Sequence, residues 1–286
     1  MSRNPASLTP VSGVTTWLVA VVMVFVAGLA LAGAAALIAM NAGLPADRAL
    51  RLLSDPEASP LVTNPAWIAV TVLVNELGVA AALFIALRRL RLKFRQVVPL
   101  TRPQTSELFG ALLLVFGLAP LAELASELVY RHISHDLTSE QMVQALARNS
   151  SGPVFGLALL LTALVPALVE ESLFRGLVFR AFERYGAVVT ITITSLLFGA
   201  LHLNPSQAAG TVVLGVAFGL ARWQTRSVTP SLLSHALYNA AVIISERYGP
   251  TGHQHEIAAW HCVVGVLAAC FGWWLLGDRR ARPDAV

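Results

Sequence analysis

The chain contains more long apolar blocks than a water-soluble core could bury, and this limits it to one class of fold. About 20 apolar residues cross a hydrocarbon core, and blocks of that length occupy about Val14–Met40, Pro65–Leu87 and Leu108–Val129. A fourth begins after Asn149-Ser150-Ser151-Gly152-Pro153, a helix start with a first-turn proline, and shows no breaker until Tyr185-Gly186. Further blocks cover about Val188–Leu203, the short glycine-rich Ala208–Trp223, Ser231–Ile244 and Ile257–Leu276. The expectation is an all-α polytopic membrane helix bundle of about eight transmembrane helices. Composition agrees, since only 13% of residues are charged against about 25% in soluble domains.

A net charge of +4 and a pI near 9.6 would suggest a nucleic-acid partner in a soluble protein. Here the basic residues sit in short loops between apolar blocks, the positive-inside pattern of membrane proteins. Lipid bilayer rather than nucleic acid is therefore the expected partner. The cluster Arg88, Arg89, Arg91, Lys93, Arg95 and Arg102 marks the cytoplasmic side. Alternation puts Arg180, Arg184, Arg222, Arg226 and the tail Arg279, Arg280 and Arg282 on that side too, with both termini cytoplasmic. The opposite loops, Asp47–Glu57, Arg131–Arg148 and Glu246–Glu256, are less basic or mixed. Lys93 is the only lysine, which reads as a GC-rich bacterial genome and hence a bacterial inner membrane. Cys262 and Cys270 both fall in the last block and form no disulfide framework.

Ionisable groups at membrane depth are costly and usually functional. Glu170 and Glu171 follow the apolar run Val154–Val169 and precede Ser172-Leu173-Phe174-Arg175. Glu171 and Arg175 are i,i+4 neighbours in the order that favours an ion pair. Glu170, turned about 100° away, need not share that arginine. Glu170 lies about 15 residues before the Tyr185-Gly186 turn and His202 about 16 after it, so helix rise puts both roughly 24 Å from it, at one depth. Phe198 lies one turn before His202 and could wall a pocket. His235 and Asn239 share a helix face and can both donate hydrogen bonds, as an oxyanion site or as an interhelical clamp. Glu123 and Glu127 read as an interfacial helix end. His253, His255 and His261 cluster near a loop, and a metal site there is disfavoured.

Three ordered motifs, Glu170-Glu171-x-x-x-Arg175, Phe198-x-x-x-His202 and His235-x-x-x-Asn239, resemble the CAAX prenyl protease 2-like membrane proteases, also called the CPBP or Abi family. The resemblance covers about Val154–Ala241. It divides the chain into N-terminal spans (1–150), a catalytic CPBP-type core (151–245) and a last helix with its tail (246–286). It implies a glutamate-dependent intramembrane endopeptidase that needs no cofactor. Glu170 would be the general base, His202 would help hold the water, and His235 and Asn239 would form the oxyanion site. Glu171, Arg175 and Phe198 would support them. The substrate would be a peptide or protein with a membrane-associated terminus.

Two rival readings remain. Glu170, His202 and His235 are also a legitimate catalytic zinc set, although they lack the His-Glu-x-x-His spacing. Alternatively, the polar set belongs to a non-enzymatic scaffold, immunity or transport protein.

Overall fold

The computed structural model describes residues 8–54, 59–136, 138–249 and 259–277, and in them the chain is helical. The tail arginines Arg279, Arg280 and Arg282, the loop residues Glu57, His253, His255 and Glu256, and Ile257 at the head of the last block lie outside the described residues. Eight helices follow the apolar blocks. They are α1 (Pro10–Asn41), α3 (Pro65–Leu90), α4 (Thr105–His132), α6 (Gly152–Tyr185), α7 (Ala187–Leu201), α8 (Pro205–Thr225), α9 (Thr229–Tyr248) and α10 (Ala259–Leu276). Two amphipathic helices, α2 (Ala46–Ser54) and α5 (Thr138–Asn149), form where the sequence reading placed loops. Their charged residues kept them below any hydropathy threshold.

Of these, α1, α3, α4, α6 and α10 are long and apolar enough to cross a membrane. The shorter α7 is apolar over only 15 residues. The helices α8 and α9 are less apolar because they turn Ser206, Arg222, Thr225, Ser231, Ser234 and His235 into the bundle. The eight expected segments are thus present as helices, and five meet the spanning criterion by themselves. Large apolar side chains such as Phe25, Leu29, Phe84, Phe109 and Trp274 stand exposed on the outside. A water-soluble protein rarely shows so continuous an apolar surface.

Packing depends on missing side chains. In α4, Gly110 and Gly117 face Gly272 and Gly265 of α10, each pair at a two-turn interval. A Cβ at Gly117 would lie 2.6 Å from the Gly265 carbonyl oxygen, and one at Gly110 would lie 2.7 Å from that of Gly272. Only backbone fits there, as in the small-residue contacts of membrane helices. The helix α8 packs on the other side of α4 and against α7. The indole N–H of Trp17 in α1 donates to the Leu197 carbonyl in α7 at 2.8 Å, fastening the N-terminal helix to the bundle.

The fourth apolar block is helical throughout, but its winding changes twice. It opens into π-helix at Leu160–Leu164 and again at Ser172–Val178. Pro166, which the sequence reading passed over, has no N–H for the preceding turn and clashes with it, so the first widening has a direct cause. In the second, the Ser172 hydroxyl donates to the Leu168 carbonyl at 2.6 Å. Gly176 lets Val98, in the loop after α3, approach to 2.7 Å of where a Cβ would stand. The same loop anchors α9, because Val228 N–H donates to the Pro99 carbonyl at 2.9 Å.

The glycine contacts predict that Gly117→Leu destabilises the protein by about 1–3 kcal/mol through overpacking. Gly33→Leu in α1, with nothing within 4 Å of the new Cβ, should leave the thermal midpoint in detergent unchanged.

Candidate active site

Four helices bring the polar residues together. At the end of the α-helical stretch of α6, just before its second π segment, stand Glu170 and Glu171. Inside that π segment lies Arg175, and its guanidinium meets Glu171 at 3.0 Å, the ion pair expected from the spacing. Both partners have no solvent exposure (0%), whereas Glu170 retains 6%, so Glu170 alone of the three is reachable.

The guanidinium lies between two aromatic faces. Its carbon is 4.6 Å from the centre of the Phe198 ring in α7 and 5.1 Å from that of Phe218 in α8. Cation–π attraction is strongest where the cation is desolvated, as here. Arg175 also donates to the Gly215 carbonyl at 2.9 Å, and Arg222 donates to the Arg175 carbonyl at 3.1 Å. One arginine thereby joins α6, α7 and α8.

His235, six residues into α9, faces both glutamates. Its Nδ1 is 3.3 Å from Glu171 Oε1 and its Nε2 is 3.7 Å from Glu170 Oε2. A carboxylate only accepts, so the short contact assigns a proton to Nδ1. The ring stacks on Phe218 at 4.7 Å and meets the edge of Phe198 at 5.9 Å. His235 thus reaches both glutamates although it stands close to the start of its helix.

His202 stands at the C-terminal cap of α7 rather than within a continuous span. At about 22 Å, α7 is shorter than the roughly 30 Å hydrocarbon core. His202 Nδ1 is 3.1 Å from the Phe198 carbonyl, which only accepts, so Nδ1 carries the proton and Nε2 is left free. The His202 ring meets the edge of Phe198 at 5.3 Å. Phe198 is therefore the common wall of the site, touching His202, His235, Phe174 and Arg175. Glu170 and His202 make no hydrogen bond to each other among the described residues. Asn239, one turn beyond His235, is half-buried and has no hydrogen-bond partner among them.

The sequence reading missed one group. Glu76 of α3 is buried, and α3 packs on the Val165–Glu171 stretch of α6 that carries Glu170. It is the only acid within the second apolar block, which was signal enough to find it. Of the two acids read as an interfacial helix end, Glu127 pairs with Arg131 at the exposed end of α4, and Glu123 is exposed as well. Among the described residues no three His, Cys, Asp or Glu side chains converge as a metal-ligand set. Both cysteines are free thiols.

Residues 152–241 match the family model of Rce1-like type II CAAX prenyl endopeptidases. It is the family that the three motifs resemble. The match runs from the first turn of α6 into α9 and contains Glu170, Glu171, Arg175, Phe198, His202, His235 and Asn239. The family it marks is one of membrane endopeptidases acting on peptide or protein substrates. No curated protein and no solved structure matches the chain.

The buried pair gives a stability prediction. Arg175→Met leaves Glu171 as an uncompensated buried charge and should cost about 3–5 kcal/mol. The double variant Glu171→Gln/Arg175→Met should recover most of that loss in a thermal unfolding experiment in detergent.

Proposed function

We propose that the chain is an intramembrane endopeptidase of the CPBP type that cleaves a membrane-associated peptide or protein near its terminus. The observation that carries this reading is the convergence of Glu170, Glu171 and His235 within the segment that matches the endopeptidase family. Glu170, the partly accessible carboxylate, takes a proton from an attacking water, a role that needs a base within hydrogen-bond reach. His202 holds that water through its free Nε2 and is itself oriented by the Phe198 carbonyl. The tetrahedral oxyanion then accepts hydrogen bonds from His235 and Asn239, so that negative charge develops against preset donors. Glu171 stays ionised between Arg175 and His235, keeps the imidazole oriented and takes no part in proton transfer.

Several features support this division of labour. Glu171 is engaged on two sides, while Glu170 keeps its carboxylate edge toward the site. The Asn239 amide has no hydrogen-bond partner among the described residues, as is expected of a donor intended for a substrate oxygen. Aromatic rings wall the site and limit water to what the reaction consumes.

The test uses purified protein in detergent with reporter peptides that carry a lipid-anchored or prenylated terminus. Glu170→Gln should abolish cleavage, and His235→Ala and Asn239→Ala should lower kcat/KM by about 10²–10³ while leaving the thermal midpoint in place. Full activity of Glu170→Gln would overturn the mechanism. Activity lost to a chelator and restored by zinc would favour the metalloprotease reading, and ion flux without cleavage would favour transport. Comparing terminal peptides from cells carrying the wild type and Glu170→Ala would identify the natural substrate.

A further inference from the structure

The family match begins at residue 152, yet the candidate site also takes a carboxyl from the N-terminal spans. The helices α3 and α6 run in the same direction through the bundle. Glu76 is about 14 residues before the end of α3 at Leu90, and Glu170 is about 15 before the end of α6 at Tyr185. At 1.5 Å per residue those distances are roughly 21 and 22 Å. Parallel helices in this register, with α3 packed on the Val165–Glu171 stretch of α6, place the two carboxyls side by side. Glu76 is 7% exposed and Glu170 6%, so neither carboxyl is solvated from outside.

A carboxylate has no proton to donate, so a hydrogen bond between two carboxyls requires that one of them be protonated. Arg175 does not supply the charge balance that would let both ionise, because it is committed to Glu171. Few other ionisable groups surround the pair, and the nearest outside α3 and α6 is His235 of α9, whose Nε2 stands 3.7 Å from Glu170 Oε2 while its Nδ1 faces Glu171. The helix α1 brings none, and α5 brings Glu140 and Arg148, the latter paired with Glu246 at 2.8 Å. From α6 come Glu170, Glu171 and Arg175. Glu76 Oε2 is buried with no hydrogen-bond partner among the described residues, as a carboxyl that keeps its proton tolerates better than a carboxylate does.

We propose that Glu76 is a positioning residue of the same site, sharing one proton with Glu170 through a direct carboxyl–carboxyl hydrogen bond that fixes the reactive carboxyl in place. The proposal rests on the endopeptidase reading for its kinetic consequence and on geometry alone for the shared proton. During attack, the water oxygen bonds to the substrate carbonyl carbon and its proton passes to the Glu170 oxygen facing the site. That proton leaves with the departing amine as the C–N bond breaks. The proton held between Glu76 and Glu170 is not consumed, and Glu76 donates to Glu170 before and after the turnover.

Two measurements on the full chain separate this proposal from the function it builds on. The first needs no substrate: infrared spectroscopy of purified protein with isotope-labelled glutamate, followed across pH. The wild type should show the carbonyl stretch of a protonated carboxylic acid at neutral pH. Both Glu76→Gln and Glu170→Gln should abolish that band, because each leaves a lone carboxylate accepting from an amide. Persistence of the band in Glu170→Gln would overturn the shared proton, whether or not the protein cleaves anything.

The second measurement is the pH dependence of kcat/KM. In the wild type, activity should fall on the alkaline side as the shared proton is lost. Glu76→Gln keeps a donor, so it should retain activity within about tenfold and lose that alkaline limb. Glu76→Ala keeps none and should lower kcat by on the order of 10–100-fold, as loss of an orienting partner does, with KM little changed. Superimposable profiles for wild type and Glu76→Gln would overturn the positioning role. A wild type with the infrared band but no peptidase activity would instead sink the endopeptidase reading.

Discussion

The site is organised by the buried ion pair between Glu171 and Arg175. An unpaired charge at this depth would be prohibitive, so each partner needs the other. The requirement extends beyond the pair. The guanidinium is held between Phe198 and Phe218 and donates to the Gly215 carbonyl, while Arg222 bonds to the Arg175 backbone. On the carboxylate side, Glu171 takes His235. The positions of α7, α8 and α9 relative to α6 therefore follow from one pair of opposite charges and what is needed to keep both satisfied.

The winding of α6 makes this arrangement possible. An unbroken α-helix through Pro166 would clash with its own preceding turn. The π stretches on either side of the Glu170–Glu171 segment absorb that conflict and widen the helix where it must accept neighbours. Gly176 lets the loop after α3 press against the second stretch, and the same loop fixes the first turn of α9. A single loop thus sets the height of His235 against the two glutamates. Departures from regular winding at functional sites are common in helical proteins, and here the chemical reason is visible in the residues themselves.

Much of this was legible in the chain. Hydropathy placed the eight long helices to within a few residues, and the i,i+4 spacing gave the Glu171–Arg175 pair. The hairpin turn at Tyr185-Gly186 folds α7 back on α6, so that Phe198 meets Phe174 and Arg175. What stayed hidden has physical causes. Amphipathic α2 and α5 carry their signal in periodicity rather than in apolar length. The Gly110–Gly272 and Gly117–Gly265 contacts depend on which helices become neighbours, and a single sequence does not state that. Glu76 was visible as an acid inside an apolar block, but its partner could be named only once α3 was known to run beside α6.

The distribution of unsatisfied groups argues against a purely structural cluster. Buried polar groups that only hold helices together are expected to find partners, since each one left unpaired costs about 1–3 kcal/mol. Around Arg175, Glu171 Oε2 and the guanidinium Nε have no hydrogen-bond partner among the described residues, but the ion pair and two aromatic faces keep both side chains engaged. On the other side of Phe198 the expectation is not met. His202 is tied by Nδ1 and Asn239 has no hydrogen-bond partner among the described residues, and both are less buried than the glutamates. A clamp would gain from closing these gaps with a hydroxyl or an amide, and Ser195 and Thr194 of α7 lie in the same bundle but spend their hydroxyls on their own helix backbone. Polar edges left without a protein partner are what a site requires if water and a peptide carbonyl are to complete it.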